Sequence, residues 1–334
     1  MKVSIITEGS NKIGFGHVTR CLSIYQAFEE RGVSPLLIIN GDNIIESLLK
    51  NYNYKIFKWL ENTKKLFNII KDSDIIIIDS YLADYNIYKT ISNFTKIIVY
   101  LDDNNRIEYP KGIILNGSIY AQELEYPIVE YNDLLLGSQY IPLRKEFWEI
   151  PEKTINKNVN NVMITFGGDD LRNLTPKILK ALNEQCPQLK STIIIGKGFS
   201  NIEVIKKIVN DRNELIFNPN AQEMVEIMFR SDIAISAAGQ TLNELARIGT
   251  PTITVSVASN QVNHINYWDK TGFIQFAGAW NDDDLLNTIL ENIKILKDEN
   301  MRRRKSEIGR KHVDGLGPVR IVEYCLRKLD EMEN

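Results

Sequence analysis

MKVSIITEGSNKIGFGHVTRCLSIYQAFEERG, residues 1–32, decides the fold. Met1–Thr7 is an apolar run rich in β-branched residues, a glycine-punctuated turn follows, and Val18–Arg31 then carries apolar residues at helical spacing up to Gly32. Strand, glycine turn and amphipathic helix in that order open a parallel α/β unit. Met1–Thr7 has one Lys and no small-residue cleavage site before the glycines, so it reads as a buried strand rather than a secretory leader.

Outward from this stretch the pattern repeats. Strands are expected at Pro35–Ile39, Asp74–Asp79, Lys96–Leu101 and Gly112–Asn116, with helices at Ile44–Asn51, Lys64–Asp72 and Asn86–Ser92. Leu134–Pro142 leads through Arg144–Trp148 into Pro151–Asn161, a polar stretch that reads as an inter-domain linker. The alternation then resumes, with strands at Asn161–Phe166, Ser191–Gly196, Leu215–Asn218, Ile233–Ser236 and Thr252–Val257. Helices are expected at Leu174–Asn183, Ala221–Arg230, Gly239–Ile248, from about Gln261, at Asp283–Leu296, through Arg302–Arg310, and at Pro318–Glu331. The expected class is α/β, with two successive parallel-sheet domains: residues 1–150, residues 151–317, and a closing helix in 318–334. Ligand is expected at the carboxyl ends of the strands, in the crevice between the domains. No sequence self-similarity relates the halves.

Bulk properties narrow the function. A chain of 334 residues is longer than single cores usually grow, which favours two domains. A net charge of −3 offers no electrostatic footprint for nucleic acid, and no apolar run has the length of a membrane span. Cys21, Cys186 and Cys325 lie far apart and read as reduced thiols of a cytoplasmic protein. Only His17, His264 and His312 are present, too few for a His-rich metal site. No cofactor is expected.

In the first half, Gly14-Phe15-Gly16-His17-Val18-Thr19-Arg20 lies between the first strand and its helix. Glycines there permit close approach to the backbone, and a helix N-terminus suits an anion. The third glycine of a dinucleotide fingerprint is absent, and His17 occupies the turn as a candidate base or, alternatively, as a turn-capping residue. Asp79-Ser80-Tyr81 and Asp102-Asp103-Asn104 end two apolar strands, putting polar groups at carboxyl strand ends. Asp79 and Asp102 equally suit loop or helix caps, Asp102 with Asp103 could hold a divalent metal, and no spacing supports a glycosidase carboxylate pair.

In the second half, Gly167-Gly168-Asp169-Asp170 can wrap a diphosphate with backbone N–H groups or form a plain turn. Ser236-Ala237-Ala238-Gly239-Gln240-Thr241 leads small residues from a strand end into a helix, a phosphate-binding arrangement. Glu244 can accept from a ribose diol or close a capping box with Thr241. Asn260-Gln261 can recognise neutral sugar groups, with Asn260 as a helix N-cap the other reading. Met224 and Phe229 read as core, and Arg302-Arg303-Arg304-Lys305 as a solvated helix face. His264 and His312 acquire no role.

Taken in order, Gly14-x-Gly16-His17-x-x-Arg20-Cys21-Leu22, Asp79-x-Tyr81, Leu101-Asp102-Asp103, Ile114-Leu115-Asn116 and Leu143-Arg144-x-x-Phe147 form a series. Phe166-Gly167-Gly168-Asp169, Ser236-Ala237-Ala238-Gly239, Thr241-x-x-Glu244 and Asn260-Gln261 continue it across almost the whole chain. The series resembles the UDP-2,4-diacetamido-2,4,6-trideoxy-β-L-altropyranose hydrolases and their spore-coat polysaccharide relatives. The resemblance implies a fold similar to the GT-B glycosyltransferases of the MurG type, two Rossmann-like domains facing a cleft, with the last helix crossing back to the first domain. It implies metal-independent release of free sugar from UDP by water activated at His17. It places UDP on Gly167, Gly168, Asp169, Gly239, Gln240, Thr241 and Glu244, and the sugar near Tyr81 and Asn116. Gly14, Gly16, Thr19, Arg20 and Asp79 join the substrate-binding set, as do Asn260 and Gln261. Ser80 stands where the family carries His, and Asn116-Gly117-Ser118 where it carries Asn-x-Asn; both bear on which sugar is taken.

The implied partners are a small-molecule UDP-sugar and enzymes of the same sugar pathway, with neither nucleic acid nor stable membrane insertion. Two other functions stay open: a glycosyltransferase of the same fold, and a non-catalytic nucleotide-sugar binding module. Uracil over cytosine rests on the resemblance alone.

Overall fold

The computed structural model describes residues 1–10, 14–41, 43–127 and 132–333; Asn334, the end of the expected closing segment, lies outside them. The chain forms two compact units, one of Met1–Lys145 with Gly315–Asn334 and one of Glu146–Asp314.

The first unit runs β1 (Val3–Gly9), α1 (Gly16–Glu29), β2 (Leu36–Gly41), β3 (Tyr54–Ile56), α2 (Thr63–Ile70), β4 (Ile75–Asp79), α3 (Tyr85–Ser92), β5 (Ile97–Leu101), β6 (Gly112–Asn116) and β7 (Asn132–Leu136). Its seven strands lie in the order β3-β2-β1-β4-β5-β6-β7, every pair parallel. A parallel sheet is covered on both faces, so its strands are continuously apolar. Ile75, Ile76, Ile77 and Ile78 show it: all four are fully buried, and Ile76 and Ile78 pack in one core with Trp59, Leu66, Tyr88 and Tyr100.

The second unit runs β8 (Asn161–Thr165), α4 (Leu174–Gln185), β9 (Lys190–Ile195), α5 (Ile202–Ile208), β10 (Asn213–Phe217), α6 (Ala221–Arg230), β11 (Ile233–Ala237), α7 (Gln240–Ile248), β12 (Thr252–Ser256), α8 (Val262–Thr271), β13 (Ile274–Ala279), α9 (Leu285–Ile295) and α10 (Glu299–His312). Its six strands lie in the order β10-β9-β8-β11-β12-β13, again all parallel. Strand order therefore reverses at β1/β4 in one unit and at β8/β11 in the other, the same topology twice. Helix α11 (Gly317–Glu333) closes the chain in the first unit, packing on α1 through a face that buries Ile321, Val322, Cys325 and Leu329.

Several elements depart from the sequence reading. Ile44–Asn51 is replaced by a 3-10 helix at Asn43–Leu48. Strands β3, β7 and β13 and helix α5 have no counterpart in it. β3 spans three residues, and β7 and β13 are sheet edges, where one side is uncovered and the apolar run is interrupted. In β13 the register shifts opposite Thr254/Val255, Gly278 takes φ +122°, and Phe276 is exposed, so period-two alternation fails. In α5 only Ile205 is buried.

The basic run is not a solvated face. Arg302 is fully buried and donates to the carbonyls of Leu296 (2.7 Å), Lys297 (2.9 Å), Lys157 (3.1 Å) and Asn156. Lys305 is buried and donates to Gly272 and Ile274 at 2.7 Å each; Arg303 and Arg304 alone are exposed. These cations replace water at loop carbonyls that burial would otherwise strip. The polar stretch 151–161 lies in the second unit, where buried Lys153 donates to Met228 (2.9 Å), Phe229 and Ser231 (2.8 Å) at the carboxyl end of α6. Phe229 is half-buried there, whereas Met224 is core. Among the described residues no helix is long and apolar enough to cross a membrane.

Candidate active site

In an open α/β sheet, ligands meet the carboxyl ends of the strands where strand order reverses. In the first unit that place is β1/β4, paired with Thr7 beside Asp79. His17 and Arg20 rise from the first turn of α1 directly above it, because β1 feeds α1 through the Gly14–Gly16 turn.

His17 Nδ1 lies 2.6 Å from Asp79 Oδ1, and both residues are buried. Arg20 grips the same carboxylate through Nε and, at 2.6 Å, through Nη2. Its Nη1 donates to both oxygens of Asp103, at 2.7 and 2.8 Å. The Tyr81 hydroxyl donates to Asp103, and its ring meets the His17 ring edge-on, with centroids 4.6 Å apart. The sequence set thus converges at His17, Arg20, Asp79 and Tyr81. Asp103, a strand-end residue of the motif series and a possible metal ligand but not one of the expected substrate-binding set, belongs to the cluster through Arg20.

Charge follows from this geometry. Burial alone would raise the Asp79 carboxyl, but Arg20 and then His17 overcome it and hold it down to about 2. Burial likewise opposes the Arg20 charge, and Asp103 and Asp79 outweigh it, holding the guanidinium charged well beyond its usual range. Burial and Asp103 push the Tyr81 phenol up. An ionised Asp79 only accepts, so His17 carries a proton on Nδ1, and in the neutral ring the free lone pair is on Nε2. The 3.2 Å approach of Arg20 Nη2 to Nδ1 is then proximity rather than a hydrogen bond. One guanidinium against two carboxylates leaves the cluster one negative charge, which a protonated His17 neutralises.

A layer below, buried Glu8 accepts from the Ser80 hydroxyl and, at 2.8 Å, from the Tyr81 N–H. Ser80 also accepts from Ala83 N–H at 3.0 Å, so its hydroxyl is buried in the turn. Nothing in the sequence singled out Glu8; a carboxylate ending an otherwise apolar strand was the available signal. Asp102 accepts from Asn105 N–H at 2.7 Å and from Tyr126, the loop-capping reading. Asn116 is fully buried, donating to Tyr126 at 2.9 Å and accepting from Ser118 N–H at 2.8 Å. Thr19 turns its hydroxyl back to the Phe15 carbonyl at 2.9 Å. Neither Asn116 nor Thr19 has a hydrogen bond to the His17 cluster among these contacts.

In the second unit, β8 and β11 pair with Thr165 beside Ser236, so the turns carrying Gly167-Gly168-Asp169 and Gly239 begin side by side. The Gly168 carbonyl accepts from Gly198 N–H at 2.9 Å, linking the first turn to that after β9. Asp170 is buried and caps α4 through Leu174 and Thr175 N–H at 2.9 Å each, whereas Asp169 is half-buried. The N-cap of α7 is Gly239, with no side-chain cap, so the Thr241–Glu244 capping box does not form. Glu244 is buried on α7. Asn260 is exposed in a 3-10 turn and is not the N-cap of α8; Gln261 is, and its Oε1 accepts from Val257 N–H at 3.2 Å.

A methyl group added at Gly14, Gly16, Gly167, Gly168 or Gly239 would meet no atom within 4 Å. Gly14 and Gly167 have φ near +80°, which calls for glycine. Gly239 has φ −90°, open to any residue, so neither backbone nor packing explains it.

Residues 161–308 match the model of the glycosyltransferase family 28 C-terminal domain. The chain is 26% identical to the spore coat polysaccharide biosynthesis protein SpsG of Bacillus subtilis, over all of both chains. It is 24% identical to the UDP-2,4-diacetamido-2,4,6-trideoxy-β-L-altropyranose hydrolase of Campylobacter jejuni, over 82% of this chain and 98% of that one. It spans only 55% of a 27% identical Methanocaldococcus jannaschii protein, and 52% of a 26% identical Helicobacter pylori protein named as a pseudaminic acid cytidylyltransferase and hydrolase of the same UDP-sugar. The fold matches MurG of Acinetobacter baumannii at TM-score 0.68 and 13% identity, over 98% of this chain and 100% of that one. The chain therefore has homologues among the hydrolases it was likened to, and its two parallel-sheet units have the MurG-like GT-B fold.

Proposed function

We propose that this chain hydrolyses a UDP-linked hexose of the diacetamido-trideoxy type, releasing UDP and free sugar for nonulosonic acid or surface polysaccharide synthesis. The observation that carries the reading is the His17–Asp79 pair, 2.6 Å apart beside Arg20. Nε2 of His17 takes a proton from water, and the water oxygen bonds to the anomeric carbon. The bond from that carbon to the β-phosphate oxygen breaks, and its electron pair leaves with UDP. Asp79 keeps Nδ1–H oriented and stabilises the imidazolium, an Asp–His division of labour known from other hydrolases. No step calls for a metal. The second unit holds UDP through the Gly167–Asp169 turn, Gly239–Thr241 and Glu244, with Asn260 and Gln261 on the sugar or diphosphate. Tyr81 faces the sugar. The reaction is placed in the cytoplasm, in keeping with three free, buried cysteines.

The family 28 match over residues 161–308 favours one second reading, transfer to a sugar acceptor in place of water. The test is incubation with UDP-2,4-diacetamido-2,4,6-trideoxy-β-L-altropyranose in EDTA, without acceptor, following UDP and sugar by NMR. Stoichiometric release of both is expected, with His17→Ala lowering the rate by roughly 10²–10⁴-fold and leaving UDP affinity intact. UDP binding without turnover until an acceptor is added would replace water by that acceptor as nucleophile. Binding without turnover under either condition would leave a nucleotide-sugar binding module.

A further inference from the structure

His264 stands at the third position of α8, and its ring reaches back to the β11–α7 junction. Nδ1 lies 3.0 Å from the Ala238 carbonyl, and the Trp268 indole donates to Nε2 at 2.9 Å. An indole N–H is a donor only, so Nε2 is the accepting nitrogen and Nδ1 carries the hydrogen that Ala238 receives. Trp268 is fully buried, which fixes this neutral tautomer in place. Asn243 Oδ1 also lies 3.2 Å from Nε2, an approach of two acceptors and not a hydrogen bond, since the Asn243 NH2 donates to Gln240 Oε1 at 3.3 Å.

A trans peptide is planar, with its C=O and N–H pointing in opposite directions. Tying the Ala238 carbonyl toward α8 therefore aims the Gly239 N–H away from α8. Gly239 is the N-cap of α7, without a side-chain cap and with open space where a methyl would stand. We propose that His264 is a positioning residue that aims the Gly239 N–H at the nucleotide's diphosphate, so that α8 sets the geometry of the α7 anion site. This rests on the reading that Gly239–Thr241 receives the phosphates.

The test compares UDP with uridine, which differ only in the diphosphate, by calorimetric titration of the full chain and its His264→Ala, His264→Asn and His264→Gln variants. An Asn amide nitrogen falls near the position of Nδ1, a Gln amide near that of Nε2. His264→Ala is expected to weaken UDP binding roughly five- to tenfold, the range for one hydrogen bond, with uridine binding unchanged. His264→Asn restores UDP affinity by donating to Ala238, and His264→Gln, which serves only Trp268, does not. Rescue by Gln and not by Asn, or equal loss of UDP and uridine binding, overturns the proposal and leaves His264 as packing for α8. If the unsubstituted chain hydrolyses the sugar nucleotide and binds UDP while His264→Ala keeps the UDP-to-uridine ratio, this inference alone falls. If the unsubstituted chain does not bind UDP, the functional reading falls with it.

Discussion

Asp79 serves two partners at once. Its carboxylate holds the His17 imidazole and the Arg20 guanidinium, and Arg20 passes its remaining charge to Asp103. In Asp79→Asn the neutral amide no longer specifies which His17 nitrogen carries the proton, and Arg20 keeps only one anionic partner. Turnover is expected to fall by about a thousandfold or more, with UDP affinity within about twofold of the original, measured by single-turnover kinetics and titration. The same pair makes stability depend on pH. The folded carboxyl, at about 2, lies below its ordinary 3.8, so its contribution is complete above the ordinary value and disappears as pH falls through about 2. Urea unfolding at stepwise lower pH is expected to show a steeper loss of stability between about pH 4 and pH 2 in the original chain than in Asp79→Asn. Parallel slopes would mean that the carboxylate is not held by its neighbours.

At the scale of elements, two helix ends make opposite predictions. The amino end of α7 begins at Gly239, whose backbone any residue can adopt and whose missing side chain would meet nothing. Gly239→Ala is expected to change unfolding free energy by less than about 1 kcal/mol, yet, on the proposed placement of UDP, to weaken its binding by setting a methyl group against the phosphates. Undiminished UDP binding in a folded Gly239→Ala chain would remove this turn from the nucleotide site. The carboxyl end of α6 has a resident lysine instead, whose ammonium is pulled down to about 7 by burial, against the opposing pull of Asp232. Lys153 donates to three carbonyls there, and Lys153→Met keeps most of the side-chain volume while removing the donors. A loss of about 2 kcal/mol in urea unfolding is expected, with UDP affinity unchanged. A neutral result would show that other donors or water satisfy those carbonyls.

At the scale of the molecule, each unit has its own core, and the chain leaves the first unit at Lys145 and returns to it at Gly315. Deleting residues from Gly317 onward uncovers the face of α1 that α11 packs on. Amide exchange is expected to accelerate across α1 and β1 while β8 and β11 keep their protection; uniform acceleration would mean that the two units unfold as one. Much of this architecture is legible in the sequence. Isoleucine runs such as Ile75–Ile78, glycine turns after strands and helical spacing in Val18–Arg31 report burial along one element at a time, and burial is what defines a parallel strand or a packed helix. His17 is legible for the same reason, as a polar residue where an apolar strand gives way to a helix. Arg20, Asp79 and Tyr81 are candidates in the sequence too, but their pairing with His17 is not legible there. Asp79 is 62 positions from His17, and only the strand order that sets β4 beside β1 brings them together. Glu8, Asp103, His264 and Arg302 belong with them: a buried polar group is defined by what satisfies it, and each satisfying group comes from another element. Element-by-element burial was written into the sequence itself. Which charges meet, which helix end stays open and which cation is buried were decided by tertiary structure, because those are relations across the chain rather than along it.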